Sequence, residues 1–297
     1  MEPGAIAHYS LLERLEPAGP GELYRARDTR LGRTVTVRLL PADFAADAGE
    51  RAAFIHRAGS LATLSHPNVT AVFDVGEHAG RLYVVFEFLR GQLLRAEMAG
   101  RVMNVRRAVE LAIQIADAVA DAHAAGFVHG GLSPDTIVIT AKGHAKIPAF
   151  ELATRGGFAH EGSAVTLRDY DSPEEARGQQ SDERSDIYTV GAVLYEMLTT
   201  RRPPHRGAAA PSAANTHAPR DLDDVVLRAV APNPELRCQS AAALAAELRA
   251  VAAILDVRGV AGDEEEHADP PAAHVGRALT IALLILLGLG LLVWWAA

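Results

Sequence analysis

The sequence predicts an α+β fold of two lobes, a small β-rich lobe over residues 8–88 and a larger helical lobe over 89–255, with one apolar span after them. Three observations predict it. Short β-branched runs separated by turn residues fill the N-terminal part. Apolar residues recur at helical spacing from Val105 onward. Residues 278–297, ALTIALLILLGLGLLVWWAA, carry no charge over about 20 residues, the length that spans a hydrocarbon core.

In chain order, Ala5–Leu15, Glu22–Ala26 and Thr34–Leu40 read as strands. Glu50–Leu64 reads as a helix that His66-Pro67-Asn68 breaks. Val69–Val75 and Arg81–Phe88 read as two further strands joined by the turn Glu77-His78-Ala79-Gly80. Val105–Ala125 is helical, with Val109, Ile113, Ile115 and Val119 on one face. Asp186–Leu198 is apolar enough for a buried helix, and Asp221–Val230 and Ala241–Leu255 add two more. Residues 256–277 read as an acidic, proline-containing linker, most clearly in GDEEEHADPPA from Gly262 to Ala272.

With 49% hydrophobic and 22% charged residues, 297 residues can bury a core. A net charge of −8 with no basic stripe argues against nucleic acid as a partner. The single cysteine, Cys238, excludes an internal disulfide and a cysteine-based zinc site, and the 12 histidines show no ligand spacing. The N-terminus lacks a basic start and a long apolar run, so no signal peptide is expected. Arg277 precedes the apolar span and no cation follows it, and Trp294-Trp295 suits an interfacial belt. The expectation is a single-pass, tail-anchored protein of the cytoplasmic membrane with residues 1–277 in the cytoplasm; the alternative is a buried C-terminal helix. Ala278 and Ala282 have the spacing of a helix–helix contact, a weak indication of a homodimer.

Several motifs stand in order. Glu22-Leu23-Tyr24-Arg25-Ala26-Arg27-Asp28 follows a glycine turn, and Leu64-Ser65-His66-Pro67-Asn68 follows the first helix. Val85-Phe86-Glu87-Phe88, Ser172-Pro173-Glu174, Ser185-Asp186-Ile187-Tyr188 with Gly191, and Arg237 complete the set. In this order they resemble the bilobal bacterial serine/threonine protein kinases, over roughly residues 8–255. The resemblance implies that Glu174 and Arg237 form a buried charge pair. It implies that Asp186 accepts backbone N–H bonds from the loop at His129. It places His129, Phe150, Leu61 and Val72 in an apolar spine between the lobes.

Against the same family, the residues that carry phosphoryl transfer differ. The glycine turn reads Glu16-Pro17-Ala18-Gly19-Pro20-Gly21, where only Gly21 remains and Pro20 lacks an N–H. The strand lysine is Arg38, and the helix glutamate that pairs with it is Arg57. The resemblance puts Gly131 at the catalytic aspartate, Ser133 at the following lysine and Thr136 at the metal-binding asparagine. Ala149-Phe150-Glu151 replaces the Asp-Phe-Gly motif, and Thr166-Leu167 stands where Gly-Thr precedes the Pro-Glu motif. Pro204–Leu222 has little amphipathic pattern, so the helix that docks substrates in relatives is expected to be reduced or absent.

These departures lead to the expectation of a catalytically inactive, membrane-anchored pseudokinase that is no enzyme and whose binding of ATP and magnesium is absent or weak. It would hold a protein partner, either an active kinase or an envelope protein. In one reading Glu16 or Glu151 pairs with Arg38 or Arg57 and closes the site; in the other these side chains reach solvent. Two alternatives stand beside the pseudokinase: a nucleotide-binding switch without catalysis, with adenine docked at Glu87-Phe88, and an atypical nucleotide-dependent transferase.

Overall fold

The computed structural model describes residues 4–15, 21–44, 47–147 and 169–267. The chain divides into two units, Met1–Ala252 and Ala253–Ala297. In the first, a six-stranded antiparallel sheet runs in the order β1-β2-β3-β4-β6-β5. Its strands are β1 (Ala5–Ile6), β2 (Tyr9–Leu15), β3 (Glu22–Asp28), β4 (Thr34–Leu39), β5 (Val72–His78) and β6 (Arg81–Glu87). The strand expected over Ala5–Leu15 is two strands, because Ala7 takes φ 51° and turns the chain back on itself. Ala79 and Gly80, both at positive φ, make the tight turn between β5 and β6.

Alternation along β4 sends Val35 and Val37 into a core with Ile6, Tyr9, Ala26, Tyr83 and Val85. Thr36 and Arg38 therefore point to the opposite face, where register sets Arg38 beside Leu23 and Val84. Helix α1 (Ala48–Leu61) is capped by Asp47, whose carboxylate accepts from Glu50 N at 2.8 Å, and buries Phe54, Ala58 and Leu61.

The larger lobe begins with β7 (Gly91–Leu93) and the one-turn helix α2 (Leu94–Met98). β7 pairs with β8 (Val138–Thr140), which pairs with β9 (Ala145–Lys146). The helical core is α3 (Val105–Ala124) against α4 (Glu183–Thr199). α3 presents an apolar stripe, whereas α4 is buried from Ser185 to Thr199 and has no polar face. Asp182 and Ser185 close a capping box at the start of α4. At Gly191 the end of α6 (Arg220–Ala229) comes so close that an added Cβ would lie 2.6 Å from Ala229 Cβ. In the Pro204–Leu222 stretch, α5 is the single turn Pro211–Ala214.

α7 (Ala241–His267) extends beyond the expected Leu255, so residues 256–267 of the expected linker are helical. Among the described residues no helix is long and apolar enough to cross a membrane. Residues 278–297 lie outside the described residues, as do Glu16, Ala18, Ala149, Phe150, Glu151, Thr166 and Leu167.

Candidate functional site

The two lobes are stitched together where β5 and β6 approach β9. Ile147 N donates to Asn68 O at 2.8 Å, and Thr70 N donates to Ile147 O at 2.9 Å. The Asn68 amide reaches across to Ala145 O at 2.7 Å and Gln114 Oε1 at 3.0 Å. Lys146 Nζ donates to Glu87 Oε2 at 2.8 Å and to Val69 O at 3.2 Å, so the carboxylate at the end of β6 is tied to the strand before residue 148. Phe88 follows at the start of the segment that joins the lobes.

Arg38 lies on the sheet face opposite the small-lobe core. Its Nε is enclosed and has no hydrogen-bond partner among the described residues, and burial pulls the guanidinium below its ordinary pKa. Arg57 stands on α1 beside the buried Phe54 and Leu61, and its own side chain is exposed. Gly21 takes φ 90° and packs against the backbone at Leu39 and Leu40, where any Cβ would lie 2.3 Å from Leu39 O. This glycine is required by the approach of β3 to β4.

The loop from His129 to Thr136 is held at two ends. At the first, the Asp186 carboxylate accepts from His129 N at 2.7 Å, from Gly130 N at 2.8 Å, and contacts His123 Nε2 at 2.8 Å. Gly130 takes φ 64°, which lets two successive N–H groups converge on one carboxylate. At the second end, Thr136 Oγ1 accepts from Ser133 N at 3.1 Å and donates to Ser133 O at 3.0 Å. Ser133 Oγ in turn accepts from Asp135 N at 3.3 Å, so both hydroxyls serve the turn itself. Gly131 lies between these anchors and carries no side chain. Asp135 is the carboxylate of the loop, and Arg95 on α2 holds it with bonds of 3.0–3.3 Å.

Below the loop, Arg237 forks onto Glu174 with bonds of 2.6 and 2.7 Å and lies 4.9 Å from the Tyr188 ring centroid. Ser185 Oγ adds a bond of 3.0 Å to the same carboxylate. Burial acts to raise the Glu174 carboxyl, but the two-pronged guanidinium outweighs it and holds the group down at about 2. Of the spine residues, His129, Leu61 and Val72 are buried.

Sequence reasoning missed Arg95, Lys146 and α2. Both side chains are single cations outside any motif quoted above, and nothing in the one-dimensional pattern brings their partners near.

Residues 13–244 match the protein kinase domain family. The probable serine/threonine-protein kinase SCO3848 of Streptomyces coelicolor is 35% identical over 266 residues, 82% of this chain and 39% of that protein. The serine/threonine-protein kinase PknB of Mycobacterium tuberculosis is 38% identical over 267 residues, 81% of this chain and 42% of that protein. PrkC of Bacillus subtilis is 31% identical over 258 residues. The chain thus spans about two fifths of the length of the curated relatives it matches. The crystal structure of the Mycobacterium tuberculosis PknI kinase domain aligns with a TM-score of 0.68 at 23% identity, covering 84% of this chain and 98% of that one, which shows the fold.

These relatives correct three expectations: the inactive pseudokinase, the chain that is no enzyme, and the absence of ATP and magnesium. Each of the three sequence relatives is named a serine/threonine-protein kinase, and protein kinases draw their phosphoryl group from ATP with magnesium. The expectation failed by letting a few loop positions outweigh similarity spread over four fifths of the chain. Motif order, the bilobal architecture and identity over most of its length agree: the chain belongs to the protein kinase domain family.

Proposed function

We propose that this domain is an ATP-dependent phosphotransferase that acts on serine or threonine hydroxyls of a protein substrate. The observation that carries the reading is Arg38. An enclosed guanidinium nitrogen without a partner among the described residues is costly, and a polyphosphate on that face of the sheet would satisfy it. Lys146 holds the Glu87 carboxylate at the junction of the lobes, and the backbone that follows at Phe88 would meet a nucleobase there. ATP, when bound, supplies the γ-phosphoryl group.

The protein's part is to orient and to neutralise charge. Asp186 fixes the loop from one end and the Ser133–Thr136 turn fixes it from the other. A loose transition state asks more of positioning than of proton removal. Gly131 brings no carboxylate to the acceptor hydroxyl, so turnover falls by the share a general base supplies, about 10²–10⁴-fold. Magnesium, when bound with ATP, would be held largely through the nucleotide phosphates and would neutralise their charge. The apolar run 278–297 is read as a membrane anchor, which would set protein substrates at the cytoplasmic membrane surface.

The test is transfer of labelled phosphate from ATP to a serine/threonine protein mixture and to the chain itself, with magnesium or manganese, beside equilibrium binding of ATP. Binding with slow, metal-dependent transfer supports the reading. Failure of ATP to bind at millimolar concentration would sink it.

A further inference from the structure

Arg95 places one guanidinium at the meeting point of four segments. Its own helix, α2, docks on the loop through the main chain: Leu94 N donates to Ile137 O at 2.8 Å and Arg95 N to Pro134 O at 2.9 Å. Its side chain then reaches outward. Nε and one terminal nitrogen hold Asp135, and the other terminal nitrogen donates to Glu196 Oε1 on α4 at 2.6 Å. The nitrogen nearest Asp135 also donates to the Tyr170 hydroxyl, which in turn donates to Glu196 Oε2. Tyr170 lies two residues before Ser172-Pro173-Glu174, where the chain re-enters the described residues after 168. Its ring has Arg95 at 5.8 Å on one contact and Arg202 at 5.9 Å on another.

Two carboxylates this close would repel, and Glu196 has a side chain only 10% exposed. Arg95 is the cation that lets Asp135 and Glu196 share the space. Burial works against its charge, but its bonds to Asp135, Tyr170 and Glu196 outweigh that and raise its pKa. Among the described residues Asp135 makes no hydrogen bond to Tyr170 or Glu196, so the guanidinium is the physical link between the loop and the chain at Tyr170. Bonds of this charge-assisted kind fix orientation as well as proximity.

We propose that Arg95 is a positioning residue that couples the loop at residues 133–137 to the chain at residues 169–172, so that the two segments order and loosen together. The inference deepens the transfer reading and rests on it only for the consequence in turnover; the coupling itself is read without activity.

The experiment is hydrogen exchange on the full chain, wild type and variants, with the amides of α6 as an internal control. Arg95→Ala is expected to speed exchange in 133–137 and in 169–172 alike by about tenfold, the scale of losing a charged hydrogen bond. Millimolar guanidinium should restore both segments together, and Arg95→Lys, which keeps charge without the fork, should fall between. Tyr170→Phe keeps Arg95 and removes only a hydroxyl. It should speed exchange at 133–137, a segment the phenol does not touch, and should lose that reach in the Arg95→Ala background. Changes from Tyr170→Phe confined to 169–172, or guanidinium restoring neither segment, would overturn the coupling. Coupled segments in a chain that never transfers phosphate overturn the transfer reading alone; uncoupled segments in an active chain overturn this inference alone.

Discussion

Arg38 has an enclosed guanidinium nitrogen and no partner among the described residues, so removing its charge should stabilise the ligand-free domain. Arg38→Met is expected to raise stability by about 1 kcal/mol, because a partly enclosed charge is exchanged for an apolar chain of similar length. The same variant should lose the stabilisation that ATP confers, which for the wild type reaches about 2.7 kcal/mol at a hundredfold excess over Kd. Thermal unfolding with and without ATP reads both. A variant that is less stable without ligand, yet still shifted by ATP, would show that Arg38 serves the fold instead. Glu174 gives the opposite case, a buried charge with its partner in place. Its carboxyl is held at about 2 against an ordinary 4.5. The folded-state value is depressed, so the contribution is complete above about pH 4.5 and lost as pH falls toward 2. That contribution is on the order of 3 kcal/mol. Glu174→Gln should flatten the acid limb of a stability–pH curve and cost about 3–5 kcal/mol at neutral pH. An unchanged acid limb would mean that other carboxylates govern acid unfolding.

At the level of elements, α4 depends on a missing side chain. Gly191→Ala places a methyl group 2.6 Å from Ala229 Cβ, so α6 must move or α4 must bend. Overpacking costs about 1–3 kcal/mol and the gain in helix propensity returns up to about 1, leaving a net loss. A urea midpoint that rises on this substitution would show that α6 yields freely. The long elements were legible in the sequence because their period repeats: α3 shows its stripe, and α4 reads as buried because it has no polar face. α2 was not legible. Five residues contain too little of a period to detect, and its start is fixed by main-chain bonds to Pro134 and Ile137 some forty positions later. The same reason hid Arg95. Ser172-Pro173-Glu174 and Arg237 were readable from motif order, whereas the link from Arg95 to Asp135, Tyr170 and Glu196 exists only after folding. The exposure of Arg57 is the converse. Counting back from His66-Pro67-Asn68 gave its position along the helix, beside the buried Phe54 and Leu61, and that position alone does not show that the side chain is exposed.

For the molecule as a whole, every group argued to hold nucleotide or order the loop lies within Met1–Ala252. The apolar run 278–297 contributes none of them, so anchoring and nucleotide binding should separate cleanly. Expressed in bacteria, the full chain should remain with the membrane fraction through alkaline carbonate washing, because an uncharged run of about 20 residues is long enough to span the hydrocarbon core. Deleting residues 278–297 should move the protein to the supernatant while leaving the ATP-induced thermal shift unchanged. Anchoring also predicts a difference in rate and not only in location. A substrate peptide tethered to the same vesicles should be phosphorylated faster than the same peptide free in solution, through its raised effective concentration. Deletion of the run should abolish that advantage and spare transfer to the free peptide. A full chain found in the supernatant would remove the anchor. A full chain held at the membrane that shows no preference for tethered peptide would keep the anchor but deny that it selects substrates by place.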